Sequence, residues 1–560
     1  MTDDEVVEHY LAGTLLRELR RPAITAMQEE LHVQLAALHN AKRIDLLAWS
    51  VGPGSDKAER GDAFTIQQVY RNAIPHLEIA SSEMMELIRR IERRIGDTAV
   101  FARGKLPLWI KSAQSRPQEI VDVARSDTDL DREILLHALV ALGDEGVAHS
   151  FVVLGDARRQ AAIAALGAIK PRNAKSGDAT LRTLIAIVGE DPDGDVRFTA
   201  ISAAIELSVL RKMRTLKWTP ALIDAATARP CEEIRTALLN GLWRHPELFR
   251  SADAKAVLSL ACDGDLTSDR LVDMLAATLS GLVGGTHHDE AIDCLSTLLA
   301  SSGKALPLDG LRALDHHLTT LARPMLFAIS VRWFATGDHA LCEATSKLIG
   351  AAHDQKAFDE SLEGFGLTDD QTIVLCHKAV GYMPLAPIVA TSFIVAALRA
   401  GEKNAEPKLV ELLFEALLIN FRETVADHLK KIRKADAAYR PARAALRLYR
   451  RYERDSKIGT PIKELQPSDY QRSVVRQNRY VANREIRNQA ERQSVFFGAI
   501  HRSNLLYGRK VISYARGAGE PPTSMELREM SSYIEMPRLQ AIDPVGLDWL
   551  LYIFRSSKPK

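Results

Sequence analysis

A corner that recurs along the middle of the chain limits its fold more than any other feature. Residues 191–207 read DPDGDVRFTAISAAIEL: an acidic turn, a Val-Arg pair and an apolar helical pattern. Related stretches surround three further arginines, SDTDLDREILLHALVAL at Arg132, ATARPCEEIRTALLNGL at Arg235 and CDGDLTSDRLVDMLAATLSGL at Arg270. Successive arginines from Arg132 are 65, 38 and 35 residues apart, and the long gap has room for one more unit containing DARRQAAIAALGAIK at 156–170. Each corner follows an apolar helical segment, such as PQEIVDVA, LRTLIAIVG, PALIDAATA or AKAVLSLA. The unit is helix, acidic turn, helix, repeated.

Neither helix of such a pair can bury its apolar stripe alone, so neighbouring pairs must stack and share a core. Asp at the turn caps the second helix by accepting from its free amides, and its charge suits the positive end of the helix dipole. A calcium loop is the competing reading of Asp191, Asp193 and Asp195. That loop needs Gly at its sixth position and Glu at its twelfth, where this chain has Val196 and Ser202. The repeat reading stands.

On these residues the block from about 115 to 290 resembles a HEAT-repeat array, the armadillo-type α-solenoid family whose second helix opens with an acidic residue, Val and Arg. Asp195, Val196 and Arg197 match best, while Asp131, Ile234 and Asp269 replace the Val before Arg132, Arg235 and Arg270. The resemblance implies a structural ladder in which Asp195 and Arg197 take part. The expected fold is all-α: an N-terminal helical segment (1–114), the HEAT-like repeats (115–290), looser helical repeats (291–429), basic Arg-rich helices (430–516) and C-terminal docking helices (517–560). No run alternates apolar and polar residues richly enough to argue for a sheet.

Composition agrees with helix: aromatics are 6% of the chain, and Ala and Leu dominate the periodic segments. The five cysteines, Cys231, Cys262, Cys294, Cys342 and Cys376, form no C-x-x-C and suit reduced thiols in the cytoplasm. The acidic start MTDDEVVEHYLAG lacks the build of a signal peptide. The longest uncharged run, AVGYMPLAPIVATSFIVAAL at 379–398, carries Gly381, Pro384 and Pro387 in its first half, so it predicts a buried helix beginning near Pro387 rather than a membrane span.

Standard catalytic signatures are missing from the sequence: no phosphate loop, dinucleotide fingerprint, nucleophile elbow or H-E-x-x-H helix. Two histidine pairs, His287 and His288 with Asp289, and His316 and His317 with Asp315, raise the question of a zinc or iron site. Adjacent histidines point in different directions, and THHDE reads as a helix start. No cofactor or metal is expected.

Charge is the informative feature. From Lys430 to Arg516 there are 22 Lys and Arg against 7 Asp and Glu, a net of +15 in a chain whose total is +1, which leaves −14 for the rest. On one helix Arg440, Arg443, Arg447 and Arg454 fall within roughly 60° of one another at 100° per residue. After a linker, SKIGTPIKELQPS, a second helix places Arg472, Arg476, Arg479 and Arg487 on one face, with Tyr470 and Tyr480 interleaved. Such stripes suit phosphates or an acidic protein surface, including the chain's own acidic part. Near the C-terminus Thr523 and Glu526 read as a capping box. A last helix, capped by Asp543, would carry Val545, Trp549, Leu550 and Ile553 on its docking face.

The expectation is a cytoplasmic, non-catalytic helical-repeat scaffold. It would bind a partner protein through the solenoid and the basic helices. The alternative is a nucleic-acid-binding protein contacting phosphates through the Arg stripes. Self-association through the opposed charges is a third use of the same surface.

Overall fold

The computed structural model describes residues 1–20, 28–49, 60–127, 131–211, 218–300, 308–351, 356–401, 404–458, 466–493, 506–507, 510–513, 523–526 and 536–559. The described chain is helical apart from one small sheet, and it divides into two compact units, Met1–Thr278 and Leu279–Lys560.

Between 116 and 282 the acidic corners of the sequence join helices in pairs: Arg116–Ser126 with Arg132–Leu142, Glu145–Val152 with Ala157–Ala168, Ala174–Glu190 with Gly194–Leu210, Thr219–Thr227 with Glu232–Arg244, and Ser251–Cys262 with Asp269–Leu282. The pair between 145 and 168 fills the long gap between Arg132 and Arg197. Turn aspartates cap as their chemistry requires: Asp131 accepts from the amides of Glu133 and Ile134, Asp156 from Arg158, and Asp193 from Asp195. The second helices 132–142, 157–168, 194–210 and 232–244 pack successively on one another, and the first helices 174–190, 219–227 and 251–262 do the same. Gly167 makes one of these contacts possible, since a Cβ there would lie 2.6 Å from the Cα of Ala203.

The corner arginines turn inward and bind backbone. Arg197 is buried; its Nε donates to the carbonyl of Val188 at 2.5 Å and its Nη1 to that of Arg229 at 2.7 Å. Arg158 donates to Ala124 O at 2.7 Å and Arg235 to Leu260 O at 3.0 Å. These carbonyls stand at or just beyond the C-terminal ends of first helices, where no intrahelical donor remains. Asp195 is exposed, and its carboxylate meets no neighbouring pair among the described residues; the buried Asp191 does, 2.5 Å from Arg159 Nη2, as do Glu206 with Arg244 and Glu145 with Ser176. The contacts between pairs run from arginine to carbonyl and from Arg159 to Asp191.

In the second unit Phe327, Phe334, Phe358 and Phe393 pack together, with Phe327 and Phe393 stacked at 5.3 Å. Helix Pro387–Ala400 is buried on nearly every side, which explains why it is uncharged through Leu398; Arg399 in its last turn pairs with Asp436, and among the described residues no helix is long and apolar enough to cross a membrane. Strands Leu506–Tyr507, Lys510–Ser513 and Thr523–Glu526 form an antiparallel sheet, with Thr523 opposite Ser513 and Glu526 opposite Lys510. The expected capping box at Thr523 and Glu526 is therefore a strand. A local cap signal is outweighed by pairing with KVIS, whose Val and Ile suit a pleated surface.

The last helix, Pro544–Ser556, starts at Asp543, which accepts from the Gly546 amide at 2.9 Å. It packs on helix Asp369–Tyr382. Arg555 Nε donates to Gly381 O at 2.7 Å, Lys378 Nζ donates to Arg555 O, and the His377 and Phe554 rings lie 4.9 Å apart. Its inward residues are Leu547, Leu550, Leu551 and Phe554, rather than the face containing Val545, Trp549 and Ile553.

Candidate binding surface

Helix Tyr439–Ile458 buries Pro441, Ala442, Ala445, Leu446 and Tyr449 along one side. The opposite side exposes Arg440, Arg447, Arg450, Arg451 and Arg454. Burial of the alanines and leucine against the preceding helices thus forces the arginines outward. Arg443, at the edge of the stripe, is half-buried: it lies 5.0 Å from the Tyr439 ring centre and donates to Lys430 O at 3.3 Å. Arg454 and Arg451 approach Asp455 at 3.5 and 3.7 Å. Among the described residues Arg440, Arg447 and Arg450 have no ion-pair partner.

Helix Asp469–Gln493 opens on a reciprocal cap, Ser468 accepting from the Gln471 amide and Gln471 Oε1 from the Ser468 amide. It leans on the short helix Arg538–Ile542, with Asn478 Nδ2 donating to Ala541 O at 3.4 Å, and Ala482 is the buried residue among its described side chains. Arg472, Arg476 and Arg479 are exposed on one face, and Arg484 is exposed beside them. Arg472 donates to Pro467 O and lies 3.6 Å from Asp469; Arg476 and Arg479 have no partner among the described residues. Tyr470 and Tyr480 are 77% and 63% exposed, so their rings are available to a ligand. The side chain of Arg487 lies outside the described residues. A helix this polar on most sides gains little from core packing.

The first unit holds a surface that its sequence did not announce. A groove of roughly 760 Å³ runs over the N-terminal turns of successive second helices, between Arg103, Arg132, Leu136, Ala164, Phe198 and Arg270. It continues, through the shared Ala164, Phe198 and Thr199, into a second hollow of roughly 450 Å³ floored by Gly167, Ala168 and Ala203. Arg103 is bound by Glu92, Asp131 and Glu133; burial opposes its charge, but these hydrogen bonds hold its pKa above the usual arginine value. Hydrogen bonding by His137 and Arg103 pulls the Glu133 carboxyl down to about 2 against the opposing effect of burial. Arg132 donates to Gln160, and Arg270 lies 5.8 Å from the Phe198 ring centre. Apolar contact comes from Leu136, Phe198, Leu210 and the small residues. No periodicity separates such a groove from an ordinary exposed helix face, because its floor is built of alanines.

The histidine pairs do not converge. His287 is buried with Nδ1 3.9 Å from Glu290, His288 Nδ1 accepts from the Gly284 amide, His317 Nε2 meets Val283 O at 3.3 Å, and His316 is exposed. Among the described residues no cluster of three or more His, Cys, Asp or Glu side chains is placed to hold a metal ion. The five cysteines are free thiols. Burial pushes Cys342 up to about 12 and raises Cys376 as well, so neither is held as a reactive thiolate.

No protein-family model matches this sequence, and no curated protein matches it.

Proposed function

We propose that the chain is a non-catalytic, cytoplasmic helical-repeat scaffold, a HEAT-like α-solenoid that holds a partner protein on its repeat block and makes a second contact through its basic C-terminal helices. The groove over the second helices supports this reading most directly. Its floor belongs to helices whose other sides are buried, so a partner segment meets a preformed surface and little ordering cost is added to binding. Replacing Ala164 by Arg would obstruct the floor without entering the core. The test is capture and cross-linking of partners by the purified chain, then reconstitution with each purified partner at low and high salt. A partner that cross-links near Phe198, tolerates salt and is lost in Ala164→Arg supports the reading. Partners that all ignore Ala164→Arg would end it.

A specific observation favours a second reading for the basic helices, namely binding of nucleic acid. Exposed guanidinium groups without carboxylate partners release counterions when phosphates replace water, and Tyr470 and Tyr480 stand among them. Acidic protein surfaces attract the same arginines but make no particular use of the rings.

A further inference from the structure

The geometry points to a single-stranded nucleic acid as the ligand of the basic C-terminal helices, with its phosphates on the arginines of helix 469–493 and its bases on an aromatic platform made by Trp549 and Tyr552. The inference rests on the nucleic-acid reading of those helices and adds the strandedness and the platform.

Trp549 and Tyr552 are 63% and 59% exposed, and their rings are stacked at 5.5 Å with 22° between planes. The helix that carries them has a full apolar docking face without them, made by Leu547, Leu550, Leu551 and Phe554. Its position is fixed by the bonds between Arg555 and Gly381 and between Lys378 and Arg555. The platform is therefore held still while its rings face water. An exposed aromatic pair is unfavourable in isolation, since burial of either ring would contribute a large hydrophobic gain.

Cations stand in the same cluster of helices. Helix Pro544–Ser556 packs on helix Arg538–Ile542, which packs on helix 469–493, where Arg472, Arg476, Arg479 and Arg484 are exposed together with Tyr480. Arg538 is exposed as well. Nearby carboxylates are fewer: Asp543 is engaged as a helix cap and Asp469 faces Arg472, leaving Glu485 and Asp548 exposed. A duplex stacks its bases inside and would offer phosphates to the arginines but nothing to four exposed rings. Unpaired bases would stack on them while the backbone follows the guanidinium groups.

Fluorescent oligothymidylate, an abasic phosphodiester of equal length and a duplex of equal length would be titrated into the full chain, with polyglutamate as the acidic-polypeptide control. The strand is expected to bind about tenfold or more tighter than the abasic backbone. Trp549→Ala with Tyr552→Ala is expected to remove that advantage, and Arg472, Arg476 and Arg479 changed to Gln to weaken both ligands and flatten the salt dependence. Because all five side chains are exposed, circular dichroism and melting should be unchanged in either variant. Equal binding of the strand and its abasic form, or tighter binding of the duplex, would overturn the inference while leaving the nucleic-acid reading intact. Failure to bind any nucleic acid would overturn both, and binding of polyglutamate alone would assign the arginines to an acidic protein.

Discussion

Arginine serves two opposite purposes in this molecule. In the paired helices of the first unit Arg158 and Arg197 are buried and donate to backbone carbonyls, so their charge is enclosed within the fold. In the basic helices Arg440, Arg447, Arg450, Arg476 and Arg479 are exposed and, among the described residues, have no ion-pair partner. The same guanidinium group closes the first structure and is left facing water in the second. Position relative to the buried face decides between them: Arg197 follows the buried Val196 in the first turn of its helix, whereas the stripe on helix 439–458 lies opposite Ala442, Ala445 and Tyr449.

The contrast breaks most readily at Arg197. Arg197→Met leaves the carbonyls of Val188 and Arg229 without this donor inside the protein, and should lower stability by about 3 kcal/mol. Chemical denaturation would measure it; an unchanged midpoint would mean that the corner arginines are dispensable. Gly167→Ala should cost about 2 kcal/mol, because the new Cβ would press on the Ala203 backbone, where no flexible side chain can give way.

A smaller effect is expected at the junction that positions the last helix. Burial, and then Lys378 and Lys408, lower the pKa of His377, so the docked state keeps this ring neutral. The resulting stability is complete above the ordinary histidine value and is lost as pH falls through the depressed one. Hydrogen exchange in residues 544–556 should therefore accelerate on acidification beyond its intrinsic pH trend, and His377→Gln should flatten that response. Smallest of all, Arg440, Arg447 and Arg450 changed to Gln should shift stability by no more than about 0.5 kcal/mol. A larger loss would show that the stripe holds the fold together and erase its difference from Arg197.

The helix corners were legible where a cap, a charge and an apolar period coincide, as at Asp131, Asp156 and Asp193, whereas Cys231 at the Arg235 corner supplies no side-chain cap. Asp131, Asp156 and Asp193 cap the helices that the spacing implied. At the 191–195 turn the bridging carboxylate was misplaced by four residues, at Asp195 instead of Asp191, since an acidic turn of three aspartates does not reveal which one meets a neighbouring pair. Similarly, VGLDWLLYIF is apolar on two faces, and periodicity alone could not choose Leu547 and Phe554 over Val545 and Trp549. Thr523 and Glu526 show the limit from the other side: their partner strand is remote from the local pattern that suggested a cap. The Arg stripes were readable from helical spacing, but their lack of partners depends on what surrounds them in space.

Arg197 also joins more than one helix pair, since Val188 belongs to the first helix of its own pair and Arg229 follows the first helix of the next. A single side chain thus acts as a nearest-neighbour coupling term. Adding such terms along a stack makes loss of one pair raise the opening probability of the next, so the block from 174 to 244 should exchange its amides as a cooperative unit instead of fraying helix by helix.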